Sequence, residues 1–186
     1  PYNIKVAGVE ATGKSVQVTS LSAPDARVST VATGATNLMP PAWDLAGRLW
    51  LVDRRSDGAI VEVYTGGSSP VEVLAPGIAG QRVRAFEVSR DGTRFVAVLT
   101  GADGDTVVVS RVERRLDGSV RLTPAIALPS PSGTALRVED IGWSSPTTAT
   151  VLSSLTDDVS QLSAVPLDGS PGRTITTVPG VQRWLV

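Results

Sequence analysis

Apolar and polar residues alternate along this chain in short runs. The clearest are SVQVTSL, RLWLVD, AIVEVY, RFVAVLT, TVVVSRV, ATVLSSL and SQLSAVPL. A period of two puts successive side chains on opposite faces of a strand, and Val, Thr, Leu and Ile suit that pleated surface. Gly, Asp, Pro and Ser turns separate the runs at roughly even spacing, and helical signals are scarce. Many short strands with frequent turns predict an all-β chain: a sandwich, a barrel or a propeller.

An internal repeat narrows the choice. A large apolar residue is followed by a four-residue lead into a turn and then by an alternating strand. The copies are VEATGKSVQV, WDLAGRLWLV, VSRDGTRFVA and WSSPTTATVL, starting at residues 9, 43, 88 and 143, in steps of 34, 45 and 55. In register, Gly13, Gly47 and Gly92 occupy the turn, with Thr147 in the fourth copy. Val16, Trp50, Phe95 and Thr150 share one column; Val18, Val52, Ala97 and Leu152 share another. The mean step is close to the ~40–50 residues of a four-stranded propeller blade. The rest of each copy reads as strand, turn, strand, with Asp117-Gly118 and Asp168-Gly169 as hairpin signals. The expectation is an all-β β-propeller of about four blades, each of about 45 residues. It forms one domain over residues 1–186 or part of a larger propeller. The final run VQRWLV reads as a closing strand beside the first blade or as the first strand of a missing one.

Composition removes whole classes of chemistry. The 186 residues include no Cys and no His, which excludes disulfides, thiolate nucleophiles, Cys/His zinc sites and Ser–His relays. A metal would need carboxylate and carbonyl oxygens, and a general base would be Asp, Glu, Lys or Tyr. The net charge of −1 makes no electrostatic case for nucleic acid. No stretch approaches ~18 apolar residues, the length of a membrane span. The chain opens at Pro1, without Met or a signal peptide, and reads as an excerpt of a longer protein.

GVEATGKS, Gly8 to Ser15, matches the phosphate-loop pattern G-x-x-x-x-G-K-[ST]. That motif cradles phosphates only when a helix opens after the Lys. Here an alternating strand comes next, and Gly13-Lys14 falls in the column of Gly47-Arg48 and Gly92-Thr93. The expectation is a hairpin turn with a solvated lysine.

The remaining candidates each have a plain reading. Glu139 and Asp140 lie on a strand entering the fourth copy; as neighbours they point to opposite faces, so they do not form a catalytic pair. They are candidate channel-lining residues. Asp103-Gly104-Asp105 and Asp157-Asp158 occupy the same hairpin of successive copies. They lack the longer oxygen series of a calcium loop and read as turns. Arg111, Arg114, Arg115 and Arg121 surround Asp117-Gly118 in a hairpin protruding into water. They are candidate partner contacts, as are Arg54 and Arg55, read as lying on the matching turn side of an earlier copy. Trp43 and Trp143 share a column and read as packing between blades; Trp50 and Trp184 complete the tryptophans. No catalytic residue, cofactor or metal site is assigned.

VSRDGTRFVAVLTG resembles the "SPDG" turn-and-strand signature of bacterial TolB-like propellers. More specifically, PPAWDLAGRLWLVDRR, VRAFEVSRDGTRFVAVLTGADGDTVVVSRVERRLDG, VEDIGWSSPTTATVLSS and VPLDG look like the C-terminal propeller of actinobacterial LpqB-type lipoproteins. The similarity covers most of residues 1–178. It is carried best by W-D-x-x-G-R-L-W-x-V-D and S-R-D-G-T-R, and it departs where Ser-Ser-Pro-Thr replaces the Asp-Gly turn of the fourth copy. The resemblance implies a protein lipid-anchored through an N-terminal Cys, with a sporulation-protein-like (GerMN) domain ahead of the propeller. It implies a place outside the cytoplasmic membrane and a role as accessory to a two-component sensor histidine kinase controlling cell-wall and division functions. The expected partner is that kinase's extracytoplasmic domain. The family's propeller brings no catalytic residues. A non-enzymatic interaction module is therefore the first expectation, a small-ligand or glycan-binding channel the second, and a carboxylate-dependent glycosidase or lyase the third. A partner module would show an apolar or Arg-rich outer patch; a ligand site, an aromatic-rimmed polar pocket; an enzyme, two channel carboxylates ~5–9.5 Å apart.

Overall fold

The computed structural model describes residues 5–20, 28–32, 35–67, 69–130 and 137–179, and every element among them is a strand. The first sheet holds β1 (Lys5–Val9), β2 (Ser15–Ser20) and β3 (Val28–Ala32). The second holds β4 (Ala42–Trp43), β5 (Leu49–Arg55), β6 (Gly58–Tyr64) and β7 (Val71–Glu72). The third runs through β8 (Val83–Val88), β9 (Arg94–Gly101), β10 (Gly104–Arg114) and β11 (Val120–Leu122), with β12 (Ile126–Ala127) also pairing β10. The fourth holds β13 (Arg137–Ser145), β14 (Thr148–Thr156), β15 (Val159–Pro166) and β16 (Arg173–Pro179). All pairings are antiparallel, so each sheet is a meander. The run VQRWLV and Trp184 lie outside the described residues.

The sheets stack face to face in chain order, and the alternation in the sequence explains how. On β5, Leu49 and Leu51 join the cluster shared with Val16 and Val18 of the first sheet. Their neighbours Trp50 and Val52 face the other way, into the cluster with Phe86 and Phe95 of the third. On β9, Phe95 and Ala97 belong to that cluster while Val96 and Val98 pack against Val138, Ile141 and Val151 of the fourth sheet. A strand covered on both faces must be apolar at every position, hence the unbroken LWLV and FVAVL. The first sheet has one apolar partner, so β2 buries Val16 and Val18 and exposes Gln17. Three clusters join successive sheets, and none among the described residues joins the first to the fourth, so the stack is an open arc. The middle joint carries the aromatic core: Phe86 stacks on Phe95 with ring centroids 5.4 Å apart, and Trp50 tilts against Phe95 at 5.8 Å.

Polar ties reinforce the joints. The Leu45 N–H donates to the Arg90 carbonyl at 2.8 Å, linking the turns of the second and third sheets. Asp105 Oδ2 accepts from the Val138 N–H at 2.9 Å and lies 3.1 Å from Arg84 Nε, linking the third to the fourth. Asp105, a turn residue by its sequence setting, is thus a buried clamp between sheets.

The phosphate-loop lookalike is a β-hairpin. Gly13 has φ +71°, β1 and β2 flank the turn in antiparallel register, and no helix opens after Lys14. The Gly13 N–H donates to the Glu10 carbonyl at 2.9 Å, and the Glu10 carboxylate faces Thr12 inside the turn. An anionic side chain there opposes phosphate. Thermal melts with and without millimolar MgATP are therefore expected to coincide; a stabilising shift would contradict the hairpin assignment.

Gly47 occupies the matching turn at φ +75°, and a Cβ built on it meets nothing within 4 Å. Gly47→Ala is expected to cost only the left-handed backbone penalty, about 1 kcal/mol, read as a shift in the urea midpoint.

Candidate functional site

The edge strands β4, β8 and β13 converge on the inner side of the arc. At the inner edge of β13, where Glu87 of β8 comes near, a cavity of about 420 Å³ opens over the face of the fourth sheet that carries Asp140, Gly142, Thr150, Leu152 and Leu162, the face turned away from the third sheet. Alternation on β8 turns Phe86 and Val88 toward the second sheet and Ala85 toward the fourth, so Glu87 shares the side of Ala85. Gly142, which lacks a side chain, leaves room beside it on β13. The outer wall comes from Thr150, Leu152 and Leu162. Trp143 lines a second cavity of about 460 Å³, bounded by the turns bearing Leu45, Ser89 to Asp91 and Ser144 to Pro146. Trp143 packs with Ile141 and Val151 on the side of the third sheet, so its side chain lies on the face of β13 opposite Asp140.

The electrostatics of the inner chamber are unusual for this molecule. Burial first, and then the negative charge of Asp140, raise the carboxyl of Glu87 to about 7, while the Val88 N–H opposes the rise. Asp140 Oδ1 accepts from the Ile141 N–H at 2.8 Å. Neither carboxylate has an arginine partner among the described residues. Five other carboxylates do have one: Asp44 pairs with Arg48, Asp53 with Arg55, Asp105 with Arg84, Glu113 with Arg121 and Glu139 with Arg137.

Of the two channel candidates, only Asp140 reaches this cavity. A bulge between Val138 and Asp140 displaces Glu139, whose Oε1 accepts from Ser154 Oγ at 2.9 Å and pairs with Arg137 at 3.0 Å. Glu139 therefore holds β13 to β14. The carboxylate that meets Asp140 is Glu87, from another sheet. One signal for it stands in the sequence: in the repeat register its column reads Gly8, Ala42, Glu87 and Gly142, a single charge among small residues.

The arginines form no single patch. Arg54 and Arg55 sit at the hairpin joining β5 to β6, whereas Arg111, Arg114, Arg115 and Arg121 sit at the hairpin joining β10 to β11. β10 pairs antiparallel with β9, which runs in the sense of β5, so these hairpins lie at opposite ends of the strands. The expectation of a matching turn side is corrected here: successive hairpins of a meander alternate ends. Arg55 Nε is 2.7 Å from Asp53 Oδ2, and Arg54 donates to Asn37 Oδ1 at 3.3 Å. Burial raises the Asp53 carboxyl, but bonds from Asn37, Arg55 and Thr36 outweigh it and hold the group below its ordinary range. These two arginines serve the second sheet. In the other group, Arg121 pairs with Glu113 at 2.6 Å and Arg114 donates to the Asp91 carbonyl at 3.1 Å. Arg111 is exposed, its N–H bonded to Thr123 Oγ1 at 2.9 Å. Arg114 and Arg115 remain exposed beside Leu116, which is 109% exposed at the hairpin tip.

Trp43 is half-buried against the joint between the first and second sheets, Trp143 is half-buried against that between the third and fourth, and Trp50 is completely buried. Among the described residues, no group of three or more acidic side chains is arranged to hold a metal ion.

Comparison with known proteins agrees with the sheet stacking. The family described as the Lipoprotein LpqB beta-propeller domain matches residues 3–183. A Lipoprotein LpqB of Streptomyces coelicolor is 31% identical over 142 residues, 74% of this chain and 23% of that protein. One from Thermobifida fusca is 33% identical over 146 residues, 72% of this chain and 21% of that protein. The chain thus spans less than a quarter of the length of these relatives. Among solved structures, the periplasmic gluconolactonase of Pseudomonas aeruginosa superposes with a TM-score of 0.54 at 19% identity, over 97% of this chain and 56% of that one. A Lactobacillus plantarum protein superposes with a TM-score of 0.52 at 14% identity, over 97% and 54%. These two likenesses show the fold alone. Four radially stacked meanders, a family match along nearly the whole chain and two actinobacterial relatives above 30% identity lead to one conclusion: the chain belongs to the LpqB lipoprotein β-propeller domain family.

Proposed function

We propose that this chain is a non-catalytic interaction module of a membrane-anchored, extracytoplasmic lipoprotein, accessory to a two-component sensor histidine kinase. Family membership supports the lipoprotein setting. The kinase comes from the resemblance of the sequence to LpqB-type lipoproteins. The observation that carries the interaction role is the β10–β11 hairpin, with Leu116 wholly exposed between Arg115 and Asp117 and with Arg114 exposed beside it. An apolar tip flanked by arginine is the composition of an interface anchor. A pull-down from membranes with the intact parent lipoprotein is expected to retain the kinase. Arg115→Glu combined with Leu116→Asp is expected to weaken that capture at least about tenfold while leaving the melting temperature unchanged. Recovery of cell-wall sugars without a kinase would overturn the reading.

A second reading, a channel that binds a small ligand, is favoured by the cavity bordered by Glu87 and Asp140 at the inner edge of β13. The carboxylate-dependent hydrolase is less well supported. Thr150 is the one hydroxyl side chain lining that chamber among the described residues, which leaves a sugar's hydroxyls short of partners.

A further inference from the structure

We infer that Arg94 and Arg111 bind a phosphate group between them, at the end of the third sheet that carries the β8–β9 turn and the β10–β11 hairpin. The register of β9 with β10 sets these two arginines directly opposite each other. Opposite residues of an antiparallel pair share a face, with Cβ atoms roughly 5 Å apart. Arg94 is in step with Val96 and Val98, and Arg111 with Val107 and Val109, so both lie on the side of the fourth sheet. Like charges directly opposite destabilise a strand pair. No carboxylate among the described residues is paired with either. Glu113, next to Arg111 on that face of β10, is taken by Arg121 at 2.6 Å. Asp91 feels the charge of Arg94 but spends its oxygens inside the turn. Its Oδ1 accepts from Ser89 Oγ at 2.6 Å and from the Thr93 N–H at 3.0 Å, and its Oδ2 accepts from Thr93 Oγ1 at 2.9 Å. Half-buried Arg94 is anchored by one terminal nitrogen, which donates to the Thr93 carbonyl at 3.1 Å. Arg111 is exposed, and its side chain forms no ion pair among the described residues.

The pair selects by charge and by shape. A cation is repelled by both guanidiniums, and a neutral sugar leaves their repulsion in place. A carboxylate brings one negative charge against two positive ones. A phosphate monoester brings about two at pH ~7.5, with three acceptor oxygens. Each arginine presents a planar fork of N–H donors that matches such oxygens. Arg94, held by Thr93, is the fixed half of the clamp; Arg111, extended into water, is the half that closes on the ligand. Inorganic phosphate and the headgroup of a phosphatidic acid share this chemistry. The inference goes beyond the partner role of the hairpin tip, since it uses neither Arg115 nor Leu116.

The test titrates the 186-residue chain with inorganic phosphate at pH ~7.5 and follows the Cδ–H resonances of Arg94 and Arg111. Both are expected to shift and to saturate, and phosphate is expected to raise the melting temperature. Arg111→Gln is expected to weaken binding at least about tenfold. Without phosphate its melt should match or exceed that of the wild type, because a repulsion has been removed. Arg173→Gln makes the same charge change on β16 and is expected to bind as the wild type does. At pH ~5, where phosphate is a monoanion, binding is expected to be several-fold weaker. Sedimentation with vesicles containing phosphatidic acid separates the two sources. Capture that Arg111→Gln abolishes supports the site as a headgroup site; phosphate binding without capture supports it as a site for a soluble phosphate. Equal phosphate responses in Arg111→Gln and Arg173→Gln overturn the inference, and so does the absence of both a resonance shift and vesicle capture. Neither result touches the kinase reading, which rests on the hairpin tip.

Discussion

Asp44→Ala is expected to lower the stability of the chain by about 3–5 kcal/mol, the usual cost of stranding one member of a buried ion pair. Asp44 is 5% exposed at the start of the second repeat's turn. Its Oδ1 accepts from the Arg48 N–H at 3.1 Å, and its Oδ2 accepts from Arg48 Nε at 2.8 Å and from Trp50 Nε1 at 3.1 Å. Truncation leaves a buried guanidinium and a buried indole N–H without an acceptor, and neither regains water. The third sheet rests on the same carboxylate: a Cβ placed on Gly92 would lie 2.6 Å from Asp44 Oδ2. The damage therefore falls on the joint between the second and third sheets. Urea unfolding at neutral pH measures it. A loss below about 1 kcal/mol would show that the carboxylate is not what holds Arg48 and Trp50. Asp44→Asn, which keeps an acceptor but not the charge, is expected to fall between the two.

Glu87→Gln is expected to stabilise the chain, and only at the higher pH values. The folded carboxyl is raised from 4.5 to about 7. A raised carboxyl binds its proton more tightly in the folded state. Its favourable contribution is therefore complete below pH ~4.5 and is lost as pH rises through ~7. The wild-type chain bears the cost of ionising Glu87 beside Asp140, and the glutamine variant does not. The difference between the two unfolding free energies should be near zero at pH ~4.5 and reach about 2–3 kcal/mol above pH ~8. Asp140→Asn removes one of the two causes of the rise and should move the transition toward lower pH. A difference that does not change with pH would mean that Glu87 is solvated, and the chamber would lose its electrostatic character.

The hairpins were open to reading from the chain alone because they are local. A glycine at positive φ, two alternating strands and an Asp-Gly pair act within about ten residues. The turn at Gly13 could therefore be told from a phosphate loop by the alternating strand that begins at Ser15. The apolar character of β5 and β9 is equally direct: LWLV and FVAVL are continuous because each strand is covered on both faces. The repeat spacing and the quoted motifs carried the family. The chamber was not visible in this way. Glu87 and Asp140 come from different sheets, and they come near each other because the inner edge strands β8 and β13 lie side by side. Only one odd column, a glutamate among glycine and alanine, hinted at it. The arginines show the same limit in another form. Arg54 and Arg111 look alike beside their turns, yet strand direction sends them to opposite ends of the strands. Local propensity and periodicity set which residues form strands and which turn. Packing between sheets, which no local pattern encodes, decided which charges face each other and which are left without a counterion.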